Sequence, residues 1–364
     1  MKNIIIRLST PNNRGIHIYA KQIYKMLKGK FKANLFIPKK INGIKELFLL
    51  KQILWELLPL KIKNSRKIDL MINVYPRLSV DNLLNIGNKS YKKGIVICDY
   101  MQCIKLRELF QFKTYNKFNI FEIFKRSYHS LFFYLSKNLS DFYIFISNTT
   151  YKEFKSWNRF YSNLNKPSLI LHPLPSFSPE KVLSVLKGLE VAKTKSNNQI
   201  KILFVTGNPS TKRSNIISPL VEKLAIYKKN INFQVTIIGN INTQIKNQRN
   251  LKIFKPNKPI SEENLIREYL ETDLFISTSI AEGFGIPLLD ALLFGINCLA
   301  TDISSYKEIR QFYGSKNLTL IPALSDIEYY LEKLDYLIEN YIYINKKIKY
   351  ENYKNQYKRI FQDS

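Results

Sequence analysis

The chain writes one pattern twice: a short, almost wholly apolar run, a polar loop, then apolar residues at helical spacing. The run Asn3–Leu8 (NIIIRL) leads through STPNNRG into IHIYAKQIYKML, which reads as strand, loop and helix. Further apolar runs follow at Ala33–Pro38, Asp69–Tyr75, Gly94–Tyr100 and Asp141–Ser147. Runs of this kind, separated by helical patterns, fit strands buried on both faces of a parallel sheet. Three prolines between Leu171 and Glu180 break the pattern, and polar Ala192–Gln199 follows. It then restarts. Lys201–Ser210 is a strand entering a Gly/Pro loop, and SNIISPLVEKLAIY supplies a helix. Phe233–Asn240, Asn250–Pro256, Thr272–Ser279, Asn297–Asp302 and Asn317–Pro322 complete the strands. The expectation is α/β: two Rossmann-like, doubly wound domains in tandem, facing a cleft. Residues 1–175 form the first and 176–342 the second, and 343–364 are a terminal helix able to pack back on the first. The tail from Asp326 onward reads as one or two helices.

Charge narrows the function classes. The formal net charge is +29, from 57 Lys and Arg against 28 Asp and Glu. AT-rich coding accounts for abundant Lys, Ile, Asn and Tyr but not for the shortage of acids, since Glu is as AT-friendly as Lys. Such an excess points to a polyanionic partner: nucleic acid, anionic lipid or a phosphorylated substrate. Neither helix-turn-helix spacing nor an aromatic RNA-binding signature occurs, so nucleic acid is not the expected partner. The three cysteines, Cys98, Cys103 and Cys298, are too few and scattered for a disulfide framework. With His17, His129 and His172 the only histidines, no zinc-ligand spacing exists, and no metal is expected. The start, MKNIIIRLSTPNN, reads as a first strand and not a signal peptide, and no apolar segment approaches a membrane span. A reducing cytoplasm is the expected setting.

One stretch concentrates chemistry. In AEGFGIPLLDALLFGINCLATD, Ala281–Asp302, Pro287 suits the first turn of a helix and Gly295 its end. The preceding loop, Glu282-Gly283-Phe284-Gly285, leaves backbone N–H groups at a positive dipole end, where phosphate or sugar hydroxyls bind. Gly283 and Gly285 permit close approach of a ligand. Glu282 follows the Thr272–Ser279 strand at its carboxyl end, and Asp290 lies one turn into the helix. Taken singly, Asp290 reads as a dipole complement and Glu282 as a solvated loop acid.

The spacing of the pair within this frame resembles the retaining GT-B glycosyltransferases, family 4 (glycosyl transferases group 1), whose signature is E-G-F-G-x-P-x-x-E-A. Here it stands as Glu282-Gly283-Phe284-Gly285-Ile286-Pro287-Leu288-Leu289-Asp290-Ala291, with Asp290 in place of the second Glu. Phe294-Gly295, Thr301-Asp302 and Glu308-Ile309 continue the resemblance. Ile202–Asn215 (ILFVTGNPSTKRSN) looks like the family's strand and basic loop, so Lys212 or Arg213 is the expected diphosphate ligand, with Gly207 allowing close approach. The resemblance implies catalytic Glu282, Lys212 and Arg213, and a donor site of Gly207, Gly283, Phe284, Gly285, Ile286 and Asp290, the last holding ribose. In the first half, NNRGIHIYAKQI is similar to the family's glycine-rich opening loop through Gly15, Tyr19 and Ala20, with His17 where Arg is usual. VICDYMQ stands at the family's V-x-x-H-D position with Cys98 for His and Asp99 retained. Gly15, His17 and Asp99 are thus acceptor-side candidates; His17 has an equal structural reading, and strand-end capping also accounts for Asp99.

What the resemblance implies is transfer of a sugar from a nucleotide-sugar donor to a glycan or lipid-linked acceptor, with retention and without a metal cofactor. No D-x-D pair is present to hold a metal. Bacterial surface-polysaccharide synthesis is the expectation at family level. Asn42–Lys67 and Asn116–Asn138 mix Leu, Phe and Trp or Tyr with lysines, so they suit either core-facing helices or contact with an anionic membrane surface. A nucleotide-sugar epimerase on the same fold and a basic nucleic-acid-binding protein are the competing readings.

Overall fold

A computed structural model describes residues 2–8, 14–36, 68–74, 91–98, 138–158, 166–189, 199–207, 209–239, 241, 245, 248–256, 259–314, 316–340 and 344–362. Asp99 lies outside these residues, as do nearly all of the two basic apolar stretches. The chain divides into two compact units, Met1–Pro173 and Leu174–Ser364.

The first unit holds β1 (Asn3–Leu8), α1 (Arg14–Lys28), β2 (Lys32–Phe36), β3 (Leu70–Val74), β4 (Lys92–Ile97), β5 (Phe142–Phe145), α2 (Asn148–Asn158) and β6 (Ser168–Ile170). Its strands form one sheet in the order β2-β1-β3-β4-β5-β6, every pairing parallel. The apolar runs become central strands because both faces of the sheet are covered, leaving Ile4–Leu8 and Ile95–Ile97 buried. Strand β6 is absent from the sequence expectation. It is a three-residue edge strand with Leu169 55% exposed, so it carries neither a buried run nor an alternation to read.

The second unit holds α3 (Pro179–Lys187), β7 (Gln199–Val205), α4 (Ile217–Tyr227), β8 (Asn232–Ile238), β9 (Leu251–Phe254), α5 (Glu262–Glu271), β10 (Leu274–Ser277), α6 (Ile286–Leu293), β11 (Asn297–Thr301), α7 (Ser304–Tyr313), β12 (Leu318–Ile321), α8 (Ile327–Glu339) and α9 (Lys346–Gln362). The sheet runs β12-β11-β10-β7-β8-β9, again all parallel. From β7 the chain steps outward through β8 to β9, then crosses back to β10 and steps the other way. The order therefore reverses between β7 and β10, and open α/β sheets bind ligands beyond the carboxyl ends of the strands at such a point.

A chain short of acids spends three of them on strand starts. Asp69, Asp141 and Asp273 each stand one residue before β3, β5 and β10. Each carboxylate accepts from a backbone N–H of the neighbouring strand, at Asn3, Lys93 and Lys201, all at 2.7 Å. The bond satisfies an amide at the sheet's edge and fixes the parallel register there.

Helix α9 packs on α3, α5 and α6 within the second unit. Tyr353 on α9 lies against Phe294, ring centroids 4.4 Å apart, and bonds both backbone groups of Phe177, donating to its oxygen at 2.8 Å and accepting from its nitrogen at 3.2 Å. Lys349, buried on the same helix, donates to the carbonyls of Leu270 and Thr272 at the end of α5. That charge meets the negative end of a helix.

Candidate functional site

The loops after β7 and β10 meet at the reversal point of the second sheet. After β7 the chain makes a single helical turn, Pro209–Lys212, then Arg213 in the left-handed region (φ 44°, ψ 41°) and a 3-10 turn, Ser214–Ile216. Backbone and side-chain bonds fasten this loop to the one after β10. Ile280 N donates to Thr211 O at 2.8 Å, and Thr278 Oγ1 donates to Lys212 O at 2.6 Å. Thr278 is buried, while Thr211, Lys212 and Ile280 are partly exposed.

The zipper delivers Lys212 to Glu282. The ammonium forms an ion pair with Glu282 Oε1, the two side chains being 19% and 14% exposed. The same oxygen accepts from Ser279 Oγ at 2.9 Å and Tyr306 OH at 3.2 Å. Tyr306 OH also lies 2.7 Å from Ser277 Oγ, which in turn sits 3.2 Å from Ser279 Oγ. Three donors thus converge on Oε1, while none of the described residues donates to Oε2. A carboxylate oriented through one oxygen keeps the acceptor capacity of the other for hydroxyl groups. Burial, and after it the Glu282 charge, push the Tyr306 phenol well above the usual tyrosine range, so it stays a donor at neutral pH.

Glu282 leads into a glycine turn that starts α6. Gly285 precedes the helix at φ 106° and ψ 49°, Pro287 lies in the first turn, and no side chain caps the helix. A Cβ on Gly285 would come within 2.5 Å of the Tyr306 ring. Glycine is required there both by conformation and by the ring beneath it. Phe284 is buried, edge-on to Tyr313 with ring centroids 6.4 Å apart. Gly283 and Ile286 are partly exposed on either side. Gly207 is partly exposed beside the lysine; its nearest neighbour in Cβ space is Lys212 Cε at 3.9 Å.

Lys212 and Arg213, adjacent in sequence, have separate neighbours. The left-handed turn at Arg213 sends its guanidinium to the loop after β12. There Nη1 donates to Ala323 O at 2.9 Å and Ser325 O at 3.2 Å, and Nη2 to Ser325 O at 3.3 Å. Arg213→Ala is therefore expected to lower stability by about 1.5–3 kcal/mol, since charge-assisted bonds to carbonyls are lost. Affinity for a nucleoside diphosphate should change less than threefold, roughly the noise of such comparisons. Urea melts and calorimetric titration check both, and a variant of wild-type stability with lost diphosphate affinity would reverse the assignment.

Asp290 sits one turn into α6 and is 2% exposed. Its Oδ1 accepts from Ser176 N at 2.9 Å, next to the Tyr353–Phe177 pair. The structure thus brings Lys212, Glu282, Gly207 and the Gly283–Ile286 turn together, and Asp290, buried further along α6, accepts from a backbone amide. In the first unit, Gly15 is exposed and His17 partly buried, both in the first turn of α1. Tyr306, Ser277 and Ser279 are the site residues that sequence reading missed. The one available signal was a run of hydroxyls, Ser277-Thr278-Ser279, at the end of a strand otherwise apolar.

A cavity of about 400 Å³ lies at the far end of α6, lined by Leu293, Gly295, Tyr313, Lys316, Asn352 and Arg359 among others. Among the described residues no group of three or more His, Cys, Asp or Glu could hold a metal ion. No described helix is long and apolar enough to cross a membrane.

Residues 189–358 match the model of the family Glycosyl transferases group 1. No curated protein matches the chain by sequence. Among solved structures, the sucrose-phosphate synthase of Thermosynechococcus elongatus is similar over 100% of this chain and 94% of its own, with TM-score 0.63 and 12% identity. WaaG, a glycosyltransferase involved in lipopolysaccharide biosynthesis, is similar over 98% of this chain and 95% of its own, with TM-score 0.59 and 13% identity. The UDP-GlcNAc 2-epimerase of Neisseria meningitidis, bound to UDP-GlcNAc, is similar over 100% and 99%, with TM-score 0.53 and 12% identity. At these identities the likeness is one of fold: the chain has the GT-B fold, and its second unit carries the glycosyltransferase group 1 match.

Proposed function

We propose that the protein is a glycosyltransferase that moves a sugar from a nucleotide-sugar donor to a glycan or lipid-linked acceptor, with retention of configuration. One observation carries the reading: Glu282, held through Oε1 by Lys212, Ser279 and Tyr306 at the reversal point of the sheet. The family match over residues 189–358 supports it.

In this reading the donor's diphosphate draws Lys212 away from Glu282, because a dianionic group outcompetes one carboxylate for the ammonium. Backbone groups of the Gly283–Gly285 turn and the start of α6 add positive potential without a metal. Glu282 then accepts from the hydroxyls of the donor sugar and opposes the positive character that develops at the anomeric carbon. The bond from that carbon to the diphosphate oxygen breaks. The acceptor oxygen forms its bond on the same face, and its proton passes to the departing phosphate oxygen. Lys212 is the diphosphate ligand; Arg213 and Asp290 support the site from behind through the loop after β12 and through Ser176.

The experiment is a panel of nucleotide sugars incubated with and without glycan or lipid-linked acceptors. Release of nucleoside diphosphate that depends on acceptor, with the donor's anomeric configuration kept in the product by NMR, is the expected result. A change of sugar configuration without acceptor would instead establish an epimerase. The charge of +29 and the likeness to WaaG favour a lipid-linked acceptor presented at an anionic cytoplasmic membrane surface, as in bacterial surface-polysaccharide assembly. Co-sedimentation with vesicles containing phosphatidylglycerol, and not with neutral vesicles, is expected; equal behaviour with both contradicts the membrane part of the reading.

A further inference from the structure

Four groups close a ring around one carboxylate oxygen: Glu282, Ser279, Ser277 and Tyr306. Counting protons gives the ring a direction. Glu282 is acceptor only, so Ser279 and Tyr306 each commit their single proton to Oε1 at 2.9 and 3.2 Å. Ser277 has one proton left to give, and both acceptors open to it are members of the same ring: Tyr306 OH at 2.7 Å and Ser279 Oγ at 3.2 Å. Every hydroxyl proton therefore runs toward Glu282. Ser277, Ser279 and Tyr306 are all buried, so water does not compete for the bonds among the three hydroxyls, while Glu282 itself is partly exposed.

The Tyr306 ring has a second contact with the same turn. It fills the space beneath Gly285, where a Cβ would lie 2.5 Å from Cε1. One side chain thus touches both ends of the Glu282–Gly285 turn, its hydroxyl at the acid and its ring at the glycine. Its place in the sequence, at the start of α7 and 24 residues beyond Glu282, lies outside the glycine–acid signature altogether.

We propose that Tyr306, anchored by Ser277, is a positioning residue that sets the direction of the Glu282 carboxylate, turning Oε2 toward the hydroxyls of the donor sugar. The proposal rests on the reading of Glu282 as the sugar ligand. Tyr306 acts through Glu282 and touches no diphosphate, so its loss separates two quantities that damage to the fold would lower together. In Tyr306→Phe the ring stays under Gly285 while the hydroxyl is gone.

The test measures turnover and nucleoside diphosphate binding on the same preparation, using the nucleotide of whichever donor the wild type accepts. Tyr306→Phe is expected to bind the diphosphate with wild-type stoichiometry and affinity within about threefold. It should lose about 10- to 100-fold in kcat, the scale of a misplaced catalytic group. Ser277→Ala should lose part of that, and the double variant little more than Tyr306→Phe alone, because both act on one orientation. Wild-type kcat in Tyr306→Phe, with Glu282→Gln inactive, overturns the positioning role and leaves the function standing. Wild-type kcat in Glu282→Gln overturns the functional reading itself. Parallel loss of diphosphate binding and kcat in Tyr306→Phe makes the residue a structural support and also overturns the proposal.

Discussion

Glu282→Gln is expected to lose about 100- to 1,000-fold in kcat, the range seen when one group is taken from a preorganised electrostatic site. The substitution is isosteric. Its amide oxygen still accepts from Ser279 and Tyr306, so the ring that orients the side chain can persist. What disappears is the negative charge, and with it the partner of Lys212 in the free protein. With both side chains less than one-fifth exposed, the unpaired ammonium should lower stability by about 1–3 kcal/mol. The variant therefore remains folded at working temperature, and circular dichroism melts beside initial-rate measurements separate lost chemistry from lost structure. Nucleoside diphosphate binding should be retained or strengthened, because Glu282 no longer competes for Lys212. A folded variant that turns over at the wild-type rate contradicts the site.

Gly285→Ala is expected to be the most damaging single methyl group in this turn. Two independent terms add. Alanine at φ 106° occupies a region that costs an L-residue about 1–3 kcal/mol. Its Cβ would also meet the buried Tyr306 ring at 2.5 Å and Ile309 Cδ1 at 3.4 Å, and overpacking of that kind costs about 1–3 kcal/mol more. The total, about 2–6 kcal/mol, is a large share of a domain's stability. Any ring displacement that relieves the clash carries the Tyr306 hydroxyl with it, so turnover should fall even where the variant is folded. Gly207→Ala is the control: its added Cβ meets nothing nearer than Lys212 Cε at 3.9 Å, so stability should stay within about 0.5 kcal/mol. Urea melts of the two variants test the contrast, and equal stability would contradict the turn geometry.

Much of the fold was legible because burial on both faces of a parallel sheet leaves a signal that needs no partner to interpret. All five strands expected in the first unit and all six in the second appear, and the doubly expressed pattern corresponds to two sheets. The ends were less legible. Gly94–Tyr100 was expected as a strand, yet β4 begins at Lys92, because Asp141 takes the amide of Lys93 and extends the pairing past two charged residues. Short β6 had no pattern to show. The glycine–acid stretch announced a turn and a helix with Pro287 in its first turn, and the helix runs from Ile286 to Leu293.

Within the candidate site, local chemistry was visible and three-dimensional partnership was not. The pair Lys212-Arg213 reads as two equivalent cations until the left-handed turn at Arg213 sends them to different partners. Asp290 shows in the sequence only its place one turn into a helix, and the fold adds that its Oδ1 accepts from Ser176 N, in a segment more than a hundred residues earlier. Tyr306 lies outside the glycine–acid signature. Only the fold shows that its hydroxyl ends on Glu282. These relations depend on which loops the sheet order brings together, and no spacing within a single stretch encodes that.

The most direct measurement of the central claim is calorimetric titration of the wild type and Lys212→Ala with UDP, ADP, GDP and their sugar conjugates. At least one nucleoside diphosphate is expected to bind the wild type, and Lys212→Ala, still folded, to weaken it by about tenfold or more, the loss of one charge-assisted contact. Undiminished binding by Lys212→Ala, or no binding of any nucleotide by the folded wild type, would contradict it.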